Sequence, residues 1–222
     1  MSFVDPADDR WCVARIVADR IEDLKPKNAR MLFQAAPLGL EGVKDPWIFV
    51  EGTSFRMVLS VALTTGATSE KSHATADIFN TGECISATAM ALSRDLDGWE
   101  WHGVIFSPEN TGWDAYCRRL NSAIAFEGKY LGFYDGSSGH AENYEEKSGL
   151  AVSRDFKQWQ TLSPSKPWLT SVHGSGSLRY LQAVAMGEQT LLFYEVARPD
   201  GSHELQMSRQ SSSGMAKELH EH

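Results

Sequence analysis

The feature that most constrains this chain is an internal repeat. Ser93-Arg94-Asp95-Leu96 returns as Ser153-Arg154-Asp155-Phe156, and each is followed by tryptophan, Trp99 or Trp101 in one copy and Trp159 in the other. Phe133-Tyr134-Asp135 returns as Phe193-Tyr194-Glu195. Both motifs recur at the same offset of 60 residues, so they mark one structural unit rather than two coincidences.

Inside a unit, short runs of Val, Ile, Leu, Phe and Tyr are bounded by Gly, Asp, Asn and Ser, the pattern of strands rather than helices. One copy reads as strands over 121–126, 130–134, 149–153 and 158–162. The copy before it reads as 47–50, 55–63, 84–93 and 99–106, with a polar insertion at 64–82. A third copy offers 178–185, 190–195 and 204–208, and two strands' worth of sequence, 11–18 and 31–34, precede the first full copy.

Four-stranded units of this length suit blades set radially, which leaves only short sheet edges. The expected fold is therefore all-β, a β-propeller of four-stranded antiparallel blades with about three and a half blades present. One propeller domain is expected over 1–210, with a partial first blade at 1–40, blades at about 41–107, 108–165 and 166–210, and a loose tail at 211–222. A β-sandwich with similar hairpins is the alternative.

Charge narrows the partners. A net charge of -8 and a pI near 5.4 argue against a field attractive to nucleic acid or anionic lipid, and favour neutral or cationic ligands. Cys12, Cys84 and Cys117 are odd in number and lack metal-ligand spacing, so they read as small buried residues. The polar, acidic start and the absence of a membrane-length apolar run lead to the expectation of a cytoplasmic protein without membrane contact.

Lys44-Asp45-Pro46-Trp47 opening an inner strand, the hairpin Phe55-Arg56-Met57-Val58-Leu59-Ser60 after it, and the Ser-x-Asp-x-x-x-Trp pattern at Ser153, Asp155 and Trp159 carry a resemblance. In these residues the chain resembles the five-bladed propeller glycoside hydrolases, the arabinanases, xylosidases, levanases and invertases, over about 40–208. The resemblance implies a carbohydrate in the axial depression and three carboxylates from successive blades, acting as base or nucleophile, as acid, and as a group tuning the acid. Asp45 matches the Asp-Pro position, which in that family usually tunes.

Two departures stand against full equivalence. The chain lacks the inner strands of the first blade, and the third-blade position reads Tyr116-Cys117-Arg118-Arg119-Leu120-Asn121-Ser122, with no carboxylate in register. Asp135 and Glu195, with Asp45, become the catalytic candidates, although their repetition equally suits a structural role. A non-catalytic carbohydrate-binding propeller and a truncated, inactive fragment of a glycosidase are the rival readings. An incomplete ring would expose a blade edge to homodimerisation.

Substrate contacts are expected from Asp114, Arg119, Asn121, His173, Arg179 and Tyr180, which cluster before the inner strands of two copies. Adjacent Arg118 and Arg119 point to opposite faces of an extended strand, so at most one faces the axis. The glycine-rich approach His173-Gly174-Ser175-Gly176-Ser177 lets backbone come close to a ligand but is no nucleotide loop. No cofactor is expected; a single axial metal on His173 is the minor alternative. Asp45, preceding proline, is expected in extended geometry. The Ser-x-Asp-x-x-x-Trp turns are read as structural.

Overall fold

The computed structural model describes residues 1–211, and among these it is built of strands and short 3-10 turns, without an α-helix. The chain divides into two compact units, Met1–Val104 and Ile105–His222. No helix among the described residues is long and apolar enough to cross a membrane. Of the tail expected at 211–222, Ser211 ends a strand, and the rest lies outside the described residues.

The first unit holds two antiparallel sheets. One orders β1 (Ser2–Asp5), β2 (Arg10–Arg15) and β3 (Arg30–Phe33). Only two strands were expected here; β1 escaped because four residues give too short a pattern to see, and it exists by pairing Phe3 with Cys12 and Val4 with Trp11. The other sheet runs β4 (Gly42–Glu51), β5 (Ser54–Thr64), β6 (Cys84–Ser93) and β7 (Glu100–Phe106). Met57, Leu59 and Val61 alternate on one face of β5 and meet Ala87, Ala89 and Ala91 of β6, together with Val13, Phe33 and Val43. The polar insertion is not featureless: its turn Ile78–Asn80 buries Ile78 and Phe79 against Ala62 and Cys84.

The second unit repeats the plan. β8 (Cys117–Phe126), β9 (Lys129–Ser137), β10 (Lys147–Ser153) and the two-residue β11 (Gln160–Thr161) form one sheet; β12 (Leu178–Met186), β13 (Gln189–Ala197) and β14 (His203–Ser211) form the next. Ile124, Leu131, Phe133 and Leu150 of the first pack on Leu178, Leu181, Ala183 and Leu192 of the second. β8 starts four residues earlier than its apolar pattern suggested, because Arg118 and Arg119 are buried as ion pairs and so extend the strand without being apolar.

Close backbone approach is paid out in glycine at two places. A Cβ at Gly132 would stand 2.5 Å from the Trp159 ring, and one at Gly149 would stand 2.4 Å from the Tyr134 ring. The repeated turns act as expected for structural elements. Ser93 and Ser153 each accept the N–H of the third residue on at 2.9 Å, Asp95 and Asp155 accept the next two N–H groups, and Trp99 and Trp159 donate back to the turn carbonyl. Trp99, not Trp101, is therefore the repeat equivalent.

The inner strands share a further device. In β4 two residues, Asp45 and Pro46, stand where β5 offers one, and in β12 Tyr180 and Leu181 do the same against β13. These are β-bulges, each opened by a residue at positive φ, 54° for Asp45 and 55° for Tyr180. The extended geometry expected for Asp45 is thus corrected: the bulge overrides the bias of a residue before proline. β8 carries a bulge of its own, at Asn121.

Candidate functional site

The repeat sets a cation opposite a carboxylate at one rung of each sheet of the second unit. Arg119 faces Asp135 across β8 and β9, and Arg179 faces Glu195 across β12 and β13, each residue 60 positions from its counterpart. In the later copy the pair closes: Arg179 Nε and Nη2 both lie 3.1 Å from Glu195 Oε2.

In the earlier copy the partners separate. Arg119 donates to Glu146, a fully buried residue immediately before β10 that no sequence pattern singled out. Its neighbours Glu142 and Glu145 in the same acidic loop are more exposed, so burial alone distinguishes it, and burial is invisible in a run of glutamates. The second Glu146 oxygen has no hydrogen bond and faces Arg179 Nη1 at 3.6 Å.

Asp135, released from Arg119, reaches to β12 and accepts the Tyr180 backbone N–H, at 3.1 Å to one oxygen and 3.3 Å to the other. It has no solvent exposure. Burial, reinforced by the Glu146 charge, raises its pKa to about 7, against the opposing pull of Arg119, Asn121 and the Tyr180 N–H. The Asn121 amide nitrogen makes no hydrogen bond of normal geometry, yet it lies close enough to favour the ionised carboxyl.

Around this buried pair lies a more open rim. The Arg179 guanidinium sits 4.7 Å from the centre of the Tyr180 ring and donates to the Tyr144 carbonyl. Tyr180 is 39% exposed, and its phenol is pushed up to about 12, chiefly by burial, so it stays neutral. Glu145 bonds the Ser175 hydroxyl and stands 3.3 Å from His203 Nε2. A buried carboxyl with a raised pKa, further carboxyls beside it, a guanidinium, an amide and an aromatic face are a set able to hold a polyhydroxylated ligand and to move a proton.

The other expected contacts lie apart from this cluster. Asp114 is buried and holds Arg118 with two hydrogen bonds, at 2.8 and 3.1 Å, while accepting the Tyr134 hydroxyl at 2.8 Å. Arg118 and Arg119 do point to different surroundings, but both are buried in ion pairs. His173 is exposed in its loop, and its N–H bonds Ser171 Oγ. Among the described residues no group of three His, Cys, Asp or Glu side chains is placed to hold a metal ion.

In the first unit Asp45 is exposed at its bulge, 3.2 Å from Lys44 Nζ, with its N–H bonded to Ser2 Oγ. Sequence reasoning missed a second cluster there. Glu41 Oε2 stands 2.8 Å from His73 Nε2 and 3.1 Å from Arg10 Nη2, and Thr64 donates to its other oxygen. Burial opposes ionisation of Glu41, but Thr64, His73 and Arg10 together hold its pKa below the usual value.

The fold is that of the β-propeller glycoside hydrolases. No family model matches the chain, and no curated protein matches it. Among solved structures, a β-1,2-mannobiose phosphorylase from Listeria innocua, in complex with β-1,2-mannobiose, is similar at a TM-score of 0.63 and 16% identity, covering 96% of this chain and 54% of that one. A family 117 glycoside hydrolase from the marine bacterium Zobellia galactanivorans matches at 0.59 and 13%, covering 76% and 52%. A GH32 β-fructofuranosidase of Bombyx mori matches at 0.53 and 13%, covering 83% and 36%. The chain thus spans about half the length, or less, of these structures.

Proposed function

We propose that the chain is part of a carbohydrate-acting protein of the propeller glycoside hydrolase kind, with the saccharide held at Arg179, Tyr180, Asn121 and Glu195. The observation that carries this reading is the pair of buried carboxyls, Asp135 and Glu146, directly behind an exposed Tyr180 and an oriented Arg179. The fold likeness supports it, since such structures act on glycosides or, like the mannobiose phosphorylase, hold a disaccharide.

In the catalytic form of this proposal, Asp135, whose pKa is raised to about 7, is the proton-carrying group and Glu195 is its partner carboxyl, a division of roles that paired carboxyls use in glycoside cleavage. A specific observation favours a second reading, binding without turnover: Asp135 has no exposure and both its oxygens are turned to the Tyr180 N–H.

Incubation of the chain with aryl glycosides across pH 4–9 separates the two. Hydrolysis lost in both Asp135→Asn and Glu195→Gln supports catalysis. Saccharide binding without product at any pH supports the binding module, and neither binding nor product removes the proposal.

A further inference from the structure

Tyr180 combines three properties that packing alone does not require. It sits at φ 55°, a region that costs a bulky side chain conformational energy and that glycine adopts freely. Its backbone N–H is nevertheless pinned by both oxygens of a buried carboxyl from another sheet. The residue is 39% exposed, so a bulky aromatic in this conformation is not sealed in the core.

Strain retained at an exposed aromatic points to a ligand, because core packing would recover its cost by burying the ring. The ring is also oriented: the Arg179 guanidinium at 4.7 Å is itself fixed by Glu195 and the Tyr144 carbonyl. A cation on one side of an aromatic ring leaves the group pre-set to receive the C–H face of a sugar, while Arg179 and Glu195 supply a donor and an acceptor for its hydroxyls. Fixing the ring in advance lowers the ordering cost of binding.

We propose that Tyr180 is a saccharide-stacking platform presented by a strained bulge, and that Asp135 is the positioning residue that locks this bulge through the Tyr180 N–H. The inference rests on the carbohydrate reading of this site and deepens it, naming an uncharged sugar ring as the group that stacks. The matching bulge at Asp45 on β4 has the same conformation, φ 54°, and likewise an exposed residue.

Two measurements on the full chain test it. In thermal melts Tyr180→Gly and Tyr180→Ala both lose the ring, but only glycine relieves the backbone. The glycine variant is expected to melt about 2–4 °C above the alanine variant; an equal or reversed order overturns the strained bulge. In calorimetric titrations with β-1,2-mannobiose, sucrose and methyl α-mannoside, the parent and Tyr180→Phe are expected to bind at least one probe alike. Tyr180→Ala and Asp135→Ala are expected to lose tenfold or more (about one ring contact in binding terms), whereas Asp135→Asn, whose amide oxygen still accepts the N–H, retains affinity. Equal binding by Tyr180→Ala and the parent overturns the platform alone, equal loss in Asp135→Asn and Asp135→Ala overturns the positioning role, and no binding by the parent overturns the carbohydrate reading with it.

Discussion

The backbone N–H of Tyr180 on β12 lies 3.1 and 3.3 Å from the two carboxyl oxygens of Asp135 on β9, so a single buried side chain joins two sheets of the second unit. That join is strongest where the carboxyl is ionised, yet burial and Glu146 resist ionisation. The two demands make Asp135 a source of pH-dependent stability.

A carboxyl whose pKa rises from 3.8 to about 7 on folding binds its proton more tightly in the native state. Its contribution is therefore fully present at low pH and is lost as pH climbs from about 4 to about 7. Asp135→Asn keeps an acceptor for Tyr180 but removes the titration. The variant is expected to be more stable than the parent at pH 8, with a flatter stability profile between pH 4 and 7, as read by urea denaturation at fixed pH steps. A profile unchanged in slope would show that Asp135 titrates near its ordinary value.

Much of this architecture was legible in the chain because the repeat is carried by residues with local duties. Ser153, Asp155 and Trp159 satisfy a turn and fill the space beside Gly132, so their pattern survives as sequence. Phe133-Tyr134-Asp135 and Phe193-Tyr194-Glu195 marked equivalent strands, and Arg119 and Arg179 stand at equivalent rungs. What the repeat could not show is that equivalent residues have exchanged partners. Glu146 takes Arg119, frees Asp135 for Tyr180, and leaves Glu195 with Arg179. Glu146 lies in an acidic loop where its burial has no sequence signature. The Arg10–Glu41–His73 cluster joins residues up to 63 positions apart and was equally hidden.

The Asp114–Arg118 pair carries a second prediction. Both side chains are nearly inaccessible, and Tyr134, whose hydroxyl bonds Asp114 and Thr161, is pushed to a high pKa chiefly by burial. Asp114→Ala removes both Asp114 hydrogen bonds from Arg118, whose contacts to Glu109, the Ser107 carbonyl and the Phe106 ring persist, and is expected to cost about 3–5 kcal/mol, since a buried charge loses its main partner. Asp114→Ala combined with Arg118→Met is expected to recover a large part of that loss. A double variant no better than the single one would place the cost in Tyr134 and not in the Arg118 guanidinium, and denaturant midpoints at pH 7 decide between them.

Beside their shared apolar core, β8 and β12 are bridged by one buried hydroxyl. Ser122 Oγ donates to the Leu181 carbonyl at 2.8 Å and accepts the Ala183 N–H at 3.0 Å, and it has no exposure. It stands directly after the Asn121 bulge, which sets its side chain toward β12, and Leu181 is the second residue of the bulge opened by Tyr180. The two irregularities thus meet at a bond that neither regular strand would make. Ser122→Ala strands a donor and an acceptor away from water and is expected to cost about 1–3 kcal/mol. Hydrogen exchange locates the damage: the Ala183 amide is expected to lose protection in this variant more than amides in the middle of β9. Uniform loss across the unit would mean that Ser122 stabilises the fold generally and that the meeting of the two bulges has no special hold on it.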